Sequence, residues 1–309
     1  MNLNDLTFGI EIETAKAPSQ IRRGGYHHGA AVTFNNAPTF NGTPWKAERD
    51  SSIRSITSGS ACEFVSPVLK GEEGLQNVID FVAWMNEQGC KVNSSCGLHI
   101  HVGVSSITSD TTLAFNTVGK LVEATKKYEN GVYAQTGASR QEGGWCHRLT
   151  GEDKGKVDVA KGERRSDEKR AQLGGIGRYK VINLNNLFNS KNTAEFRAFA
   201  GTLNINKVLC HLATVFALTE FAYSRALTGK TIIWKDWNVS GSKSLGYIFK
   251  KMAPIFPQSA ILKAAKNKMR MWGMAMAAKW DNQNGATPEA GAAAALRRVR
   301  RARGLEGTN

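Results

Sequence analysis

The sequence predicts an α+β fold built on an antiparallel sheet. The order of the predicted elements favours this class, while length and composition favour a globular protein. Predicted elements follow the order strands, helix, strand, helix, strands and helices, without the regular strand–helix alternation of a parallel sheet. The 309 residues can bury a sizeable core in one large domain or two smaller ones. Hydrophobic content of 41% and charged content of 22% are ordinary for a globular protein, and no apolar run reaches membrane-span length.

Each element follows from hydrophobic periodicity. Strands are predicted where apolar residues alternate or form short runs, at 5–15, 45–53, 61–69, 97–104, 178–188 and 193–200. Helices are predicted where apolar residues recur every three or four positions, at 71–89, 110–132, 205–227 and 240–280. Gly, Pro and Asn mark 16–44 as a long loop or irregular hairpin, and Gly with mixed charges predicts a mobile loop at about 137–177.

These elements divide the chain into three predicted segments. Residues 1–230 form the main domain, which contains the sheet. Residues 231–281 form a helical C-terminal extension, and residues 282–309 form a basic flexible tail. The tail holds five closely spaced arginines, Arg297, Arg298, Arg300, Arg301 and Arg303.

The charge balance is the unusual feature of the composition. A net charge of +15 and a pI of about 9.7 favour a polyanionic partner such as a nucleotide or a nucleic acid, although surface solubility explains a basic patch equally well. Five cysteines without a regular framework fit a reducing compartment. The first residues show neither the basic nor the apolar region of a secretory signal, so we expect a cytoplasmic protein without a membrane partner.

Three predicted strands carry pairs of functional side chains at positions i and i+2, which place both members on one face. The pairs are Glu11 with Glu13, His99 with His101, and Glu195 with Arg197, and a fourth strand adds Glu63. Any one pair fits a surface strand equally well. Together they are more specific, because carboxylates and imidazole suit Mg²⁺ or Mn²⁺ and an arginine fork suits phosphate. A cation would also relieve the repulsion between the two glutamates of "FGIEIET".

The ordered motifs "FGIEIE", "ERDSS", "EFVSP", "CGLHIHVG" and "NLNNLFNSKNTAEFRAFAGTL" resemble the amidoligase family of the carboxylate–amine ligase superfamily, over roughly residues 6–228. This superfamily shares its catalytic fold with glutamine synthetase and glutamate–cysteine ligase. The resemblance implies a curved antiparallel sheet with helices on its convex face, and a concave face that holds ATP and two or three divalent ions. It further implies amide formation through an acyl phosphate, on carboxylate and amine substrates that the sequence does not identify.

The resemblance also implies roles for individual residues. Arg197 and His101 would face the transferring phosphoryl group of ATP. Asp50 is a candidate catalytic residue, but "DSS" stands where the family often has Asp-Gly-Ser, and a turn cap explains Asp50 equally well. Arg178 and Asn183 are candidate nucleotide contacts, with a surface charge and a hydrogen bond to a neighbouring strand as the alternatives. The implied metal ligands are Glu11, Glu13, Glu63, His99 and Glu195.

Two alternatives compete with this interpretation. Cys96, His99 and His101, with Cys90 nearby, could form a structural zinc site in a non-catalytic protein that binds nucleic acid through its basic tail. A ligase that acts on a nucleic acid or on a nucleic-acid-bound substrate combines catalysis with nucleic-acid binding. Relatives occur in phage and bacterial gene sets, some suspected of modifying proteins, peptides or nucleobases, which extends the expected location to a host cytoplasm. The methionines and tryptophans of 269–280 predict core packing or an oligomer contact.

Overall fold

The computed structural model describes residues 1–136, 140, 144–235 and 239–303. An eight-stranded sheet organises these residues, and every strand pairing described in it is antiparallel. Its order is β2-β5-β6-β1-β8-β10-β9, with β7 also paired to β1, while β3 and β4 form a separate hairpin. The strands are β1 Thr7–Thr14, β2 Ala30–Ala31, β3 Thr39–Phe40, β4 Thr43–Pro44, β5 Lys46–Glu48, β6 Cys62–Val65, β7 Leu69–Lys70, β8 Gly97–Gly103, β9 Ile182–Asn183 and β10 Thr193–Ala200.

Eight α-helices accompany the sheet in the described residues. They are α1 Gly71–Glu87, α2 Thr111–Ala134, α3 Gly151–Gly162, α4 Ser166–Gly174, α5 Ile205–Leu227, α6 Gly241–Lys251, α7 Ala260–Gln283 and α8 Ala290–Ala302. The predicted α+β class and antiparallel sheet are confirmed. The predictions of a strand at 193–200 and a helix at 205–227 match β10 and α5 in extent, because both segments have a long and consistent apolar period.

One face of the sheet is apolar and carries the core. Phe8, Ile10 and Ile12 alternate with polar residues along β1 and are fully buried. The ring of Phe8 meets Phe216 of α5 edge to face, with 5.2 Å between centroids. Helices α1, α2 and α5 therefore cover this face, while α6 and α7 pack on those helices and α8 packs on α7. The opposite face of the sheet is left for the polar side chains.

Helix α5 is apolar enough and long enough to cross a membrane by composition, but 72% of its most apolar window is buried within the protein. A buried core helix can have the same length and composition, so the predicted cytoplasmic location stays a prediction.

The segment predicted as a mobile loop at 137–177 instead contains α3 and α4, and that prediction is wrong for these elements. The backbone N–H of Thr150 donates to the carboxylate of Asp153 at 2.8 Å, which caps the start of α3. Val157 and Leu173 are buried beside Gly119 of α2. A good cap and a few buried apolar residues are enough to fix short helices that have little apolar content overall. Residues 137–139 and 141–143 lie outside the described residues.

The basic tail is also more ordered in structure than predicted. Its residues 290–302 form α8, whose small apolar residues Ala295 and Val299 pack against Trp272 and Met274 of α7. Met269 and Trp280 are buried, so the core-packing prediction for this methionine-rich region is confirmed at those two positions. Residues 304–309 lie outside the described residues, and the division of the chain into three segments stays a prediction.

The strand predicted at 178–188 is shorter in the structure. Only Ile182–Asn183 pairs with β10, and a 3-10 turn follows at Asn185–Leu187. The side-chain oxygen of Asn183 accepts a hydrogen bond from the backbone N–H of Asn185 at 2.9 Å. This local bond turns the chain out of the sheet, which the apolar pattern alone does not reveal.

Candidate active site

The polar residues of the predicted strand pairs meet on the sheet face opposite the helices. Strand register sets their order, because Glu11 lies opposite His99 and Glu195 lies opposite His101. Glu13 lies opposite Glu63 on the other side of β1. All seven strand positions that carry the pairs or Glu63 therefore fall within neighbouring strands, although they come from four distant parts of the chain.

A further carboxylate extends this arrangement. Glu48 of β5 lies opposite Glu63, so that Glu48, Glu63 and Glu13 form a row of carboxylates across three strands. All three side chains are buried. Glu48 also accepts a hydrogen bond from the backbone N–H of His27 at 2.8 Å, which fixes one of its oxygens.

His99 stands at the centre of the carboxylates. Its Nδ1 lies 3.1 Å from Glu11 Oε2 and 3.6 Å from Glu195 Oε1. Its Nε2 lies 3.6 Å from Glu13 Oε1, and its Nδ1 is 4.0 Å from Glu63 Oε1. One imidazole thus faces two groups of carboxylates from the middle of the sheet.

Gly97, two residues before His99, allows this close packing. Its backbone N–H donates to Glu13 Oε2 at 2.6 Å. A Cβ at this position would lie 2.8 Å from Arg140 Nη2 and 3.0 Å from His99 Nε2, so these side chains would have to shift to admit it. The glycine of "GLHIH" therefore lets both side chains lie close to the strand.

Glu195 is held by hydrogen bonds from three sides. Its Oε2 accepts from Asn183 Nδ2 at 2.7 Å and from Asn186 Nδ2 at 2.8 Å. Its Oε1 lies 2.5 Å from Arg197 Nη1. Carboxylates that bind metals are commonly oriented in this way by outer groups. Asn183 thus contacts a candidate metal ligand here, and its predicted nucleotide contact stays a prediction.

His101 and Lys191 bring positive charge to Glu11. His101 Nε2 lies 3.2 Å from Glu11 Oε1, and Lys191 Nζ lies 3.3 Å from the same oxygen. On its other side, His101 Nδ1 is 3.1 Å from Thr193 Oγ1. His101 is therefore held between a carboxylate and a hydroxyl, at the border of the carboxylate cluster.

The pKa values follow from this distribution of charge. Burial, together with the nearby charges of Glu11 and Glu13, raises the pKa of Glu63 well above its usual value. Burial acts in the same direction on Glu11, but His101 and His99 outweigh it and lower the pKa of Glu11. For His101, burial opposes protonation, while Glu11 and Glu195 outweigh burial and raise its pKa. The two histidines thus compensate the negative charge of Glu11, whereas the negative charge of Glu63 lacks such compensation.

The donor set fits two divalent cations. Ligand atoms of Glu11, His99 and Glu195 lie within 4.8 Å of one another, and so do those of Glu13, Glu63 and His99. The side chain of Glu63 receives no protein hydrogen bond within the described part of the chain, although it is buried among carboxylates. A cation would supply that missing partner, and carboxylates with one imidazole suit Mg²⁺ or Mn²⁺.

A comparison with protein families identifies the group to which this chain belongs. Residues 4–218 match the sequence model of the family described as "Putative amidoligase enzyme". The chain belongs to this amidoligase family. The matched residues include every strand of the sheet and all the candidate metal ligands. A search of curated proteins found no match to this chain.

The candidate site opens into a cleft of about 1620 Å³. Its wall includes the candidate ligands together with Asp50, Arg178, Arg140 and Arg197. The buried Nε atoms of Arg140 and Arg197 have no hydrogen-bond partner among the described residues. Because a buried guanidinium N–H without a partner is costly, these two groups favour an anionic ligand in the cleft.

Asp50 and Arg178 lie on the cleft wall, outside the carboxylate cluster. Asp50 Oδ1 accepts from the backbone N–H of Ser52 at 2.7 Å, which is the turn-capping contact considered as its alternative role. Arg178 is exposed, and its Nη2 donates to the hydroxyl of Tyr26 at 2.9 Å. Their catalytic and nucleotide-binding roles stay predictions.

The alternative zinc site does not form among the described residues. Both potential metal groups consist of glutamate and histidine only. Cys96 is buried beside Ala15 and Ile53, and its sulfur lies 3.6 Å from Asn93 Oδ1. Burial raises the pKa of the Cys96 thiol, which disfavours the thiolate that zinc requires.

The candidate site includes residues that sequence reasoning missed. Glu48 stands two positions before Asp50 in "KAERD", and that spacing on a predicted strand is the signal that would have identified it. Arg140, Asn186 and Lys191 come from segments without a regular pattern. Only their contacts reveal them, since they reach the sheet from connections between the paired strands.

Proposed function

We propose that this amidoligase is an ATP-dependent carboxylate–amine ligase that joins its two substrates through an acyl phosphate. The observation that carries the proposal is the pair of ligand groups that share His99 and lie beside Arg140 and Arg197, whose buried Nε atoms have no hydrogen-bond partner among the described residues. Such a site combines ligands for hard cations with donors for phosphate, which are the two requirements of phosphoryl transfer.

The proposed reaction has two steps. A substrate carboxylate oxygen attacks the γ-phosphorus of ATP, and the bond from that phosphorus to the β-phosphate bridging oxygen breaks to release ADP. A substrate amine then attacks the carbonyl carbon of the acyl phosphate. The carbon–oxygen bond to phosphate breaks, and the amine loses a proton as the amide forms. Bound Mg²⁺ or Mn²⁺ would neutralise phosphate charge during the first step.

The chain's own residues would bind and orient the reactants. Glu11, Glu13, Glu63, His99 and Glu195 would hold the cations. Arg197 projects from β10 next to Glu195, so its guanidinium would contact phosphate at the edge of the cation site. His101, whose pKa is raised because Glu11 and Glu195 outweigh its burial, would present a second positive charge there.

We extend the proposal to the type of fold. A sheet with helices on one face and a carboxylate-lined cleft on the other supports a catalytic domain of the glutamine synthetase type. The carboxylate and amine substrates remain open. A cleft of about 1620 Å³ exceeds the roughly 300–1,000 Å³ of ordinary small-molecule sites, so it has room for ATP and a segment of a peptide, a protein or a modified nucleobase.

Calorimetry with ATP tests the proposal directly. ATP should bind in the presence of Mg²⁺ and should lose most of its affinity in EDTA, since the carboxylates repel phosphate unless cations intervene. Equal binding in EDTA would remove the metal-bridged site. A non-catalytic protein with a structural metal is the competing outcome, and it predicts a metal retained through purification and no binding of ATP under either condition.

A further inference from the structure

The positive charge of the protein is concentrated in its C-terminal helices. Residues 239–303 contain seven lysines and six arginines but only two acidic residues, which gives this segment +11 of the total +15. Asp281 is buried and accepts hydrogen bonds from the backbone of Gly241 and Ser242, so it does not neutralise the surface. Glu289 is the remaining carboxylate of the segment, and it lies at the start of α8.

Apart from Arg301, no lysine or arginine of 239–303 forms an ion pair with a carboxylate of the described chain. The α3–α4 region behaves differently, since Lys156 pairs with Glu152 at 2.8 Å and Arg165 pairs with Asp167 at 2.7 Å. The excess charge of the C-terminal helices is therefore available to an external anion.

Three cations converge at one point of this surface. Lys207 of α5 and Arg303, just after α8, lie 5.6 Å and 5.0 Å from the centroid of the Trp272 ring. Burial, with the nearby charges of Arg303 and Lys279, lowers the pKa of Lys207. Lys207 also stands in the first turn of α5, where the helix dipole disfavours a cation. The fold thus holds like charges together with no carboxylate among the described residues to balance them.

Helix α8 presents its arginines from a fixed support. Ala292, Ala295 and Val299 are buried against the protein, whereas Arg297 and Arg298 are exposed. Because the apolar stripe of α8 is already covered by α7, the helix offers no apolar face for insertion into a bilayer. Six arginines in the segment suit phosphate oxygens, which a guanidinium contacts through two parallel bonds. These features favour nucleic acid over a lipid surface.

We propose that α7, α8 and the start of α5 form a nucleic-acid-binding face, with the Trp272 cluster of Lys207, Lys279 and Arg303 as a phosphate contact point. This face lies on the helical side of the sheet, and no residue of 239–303 lines the catalytic cleft. Binding there recruits the protein to a nucleic acid and is separable from chemistry in the cleft.

Fluorescence anisotropy with a labelled 20-base-pair duplex over a series of KCl concentrations tests this face. The test variant replaces four arginines with glutamine, Arg297→Gln, Arg298→Gln, Arg300→Gln and Arg303→Gln. The matched control removes the same charge from the α3–α4 region through Lys154→Gln, Lys156→Gln, Arg164→Gln and Arg165→Gln. Each variant is checked for its melting temperature and for ATP binding, which both substitutions should leave unchanged.

Counterion release sets the expected result. If the four arginines contact phosphates, the slope of the logarithm of the binding constant against the logarithm of the KCl concentration should be less steep for the test variant than for the wild type, by about 3 to 4. The affinity of the test variant at low salt should be lower by at least roughly tenfold. The control should keep the wild-type slope. Equal losses in both variants, or no binding of the wild type to the duplex, would overturn the proposal. Binding to vesicles containing phosphatidylserine but not to the duplex would assign the face to membranes and also overturn it.

The Trp272 cluster has an independent test in the double variant Lys207→Gln with Lys279→Gln. Removing two of three mutually repelling cations should maintain or raise the melting temperature, because the repulsion is relieved, and should weaken duplex binding at least about fivefold. A structural role for these lysines predicts the opposite pattern, a lower melting temperature with unchanged binding. That pattern would contradict the contact point.

Discussion

Glu13 and Glu63 lie directly opposite each other on neighbouring antiparallel strands, and both side chains are buried. Like charges in this position destabilise a sheet unless a cation lies between them. Glu48 opposes Glu63 from its other side and adds to the repulsion. A metal ion bound at the proposed site would therefore also stabilise the sheet.

Glu63→Gln should raise the melting temperature of the metal-free protein, because a neutral isostere removes the repulsion. Mn²⁺ at roughly 100 times its Kd should stabilise the wild type by about 2.7 kcal/mol and should stabilise the variant much less. Differential scanning calorimetry with and without Mn²⁺ measures both effects. The exposed Glu87→Gln serves as the control and should respond to Mn²⁺ like the wild type. A variant that keeps the full response would exclude Glu63 as a ligand.

Arg197→Lys should reduce ADP release at least roughly tenfold, because lysine replaces a fork of two parallel donors with a point charge. The melting temperature should change little, since lysine can still pair with Glu195. Coupled-enzyme detection of ADP on the purified variant measures the effect. Unchanged turnover in a folded variant would rule out contact between Arg197 and the transferring phosphoryl group.

Asn186→Ala should weaken Mn²⁺ binding about tenfold, because the amide of Asn186 orients Glu195 through a 2.8 Å hydrogen bond. Titration calorimetry with Mn²⁺ measures the change. The neighbouring Asn185→Ala is the matched control, since its side chain makes no hydrogen bond to Glu195 in the structure. Equal losses in the two variants would point to a general disturbance of the 3-10 turn.

His211 should make the protein sensitive to acid. Burial, with a smaller contribution from Lys207, lowers the pKa of His211 to about 3, below the ordinary value of 6.5. Between these values the unfolded chain binds a proton that the folded protein does not. The free energy of unfolding should therefore decrease as the pH falls below 6.5, by up to about 1.4 kcal/mol per pH unit from this residue.

Urea denaturation at several pH values measures this slope. His211→Gln should remove the contribution, whereas the exposed His28→Gln should retain it. The Nδ1 atom of His211 lies 3.4 Å from Oε1 of Gln135, and its ring stacks on Phe199. The glutamine variant is therefore also expected to lose some stability at neutral pH. The prediction concerns only the slope of the free energy of unfolding against pH. Parallel curves of this free energy for the wild type and His211→Gln would contradict it.

Leu173→Ala should destabilise the protein by about 2–5 kcal/mol, as for a large buried side chain cut to a methyl group. This follows from the burial of Leu173 beside α2, within a segment that the sequence suggests is a loop. The exposed Val159→Ala of the same segment should change stability by no more than about 0.5 kcal/mol. Chemical denaturation distinguishes them, and a neutral Leu173→Ala would show that the segment does not pack as a helix pair.

The sequence alone determined the elements with a strong local period. Strand β10 and helix α5 match their predicted extents, and the i, i+2 spacing placed Glu11 with Glu13, and His99 with His101, on common strand faces. These predictions succeed because side-chain direction in a strand depends only on backbone geometry, which alternates with a period of two. The carboxylate, imidazole and guanidinium groups likewise predict cations and phosphate as ligands, and this stays a prediction.

Only the tertiary structure decided which strands lie side by side and which other side chains contact the carboxylates on them. The strand order and register put Glu13 opposite Glu63 and Glu48 beside both, although no local pattern relates these positions. Asn186 and Lys191 reach the cluster from an irregular connection. Helices α3 and α4 are fixed by caps and by burial against α2, whereas α8 is fixed by burial against α7. Such contacts join residues far apart in the chain, and their free energy comes from packing and charge in the folded state rather than from the preference of any short segment.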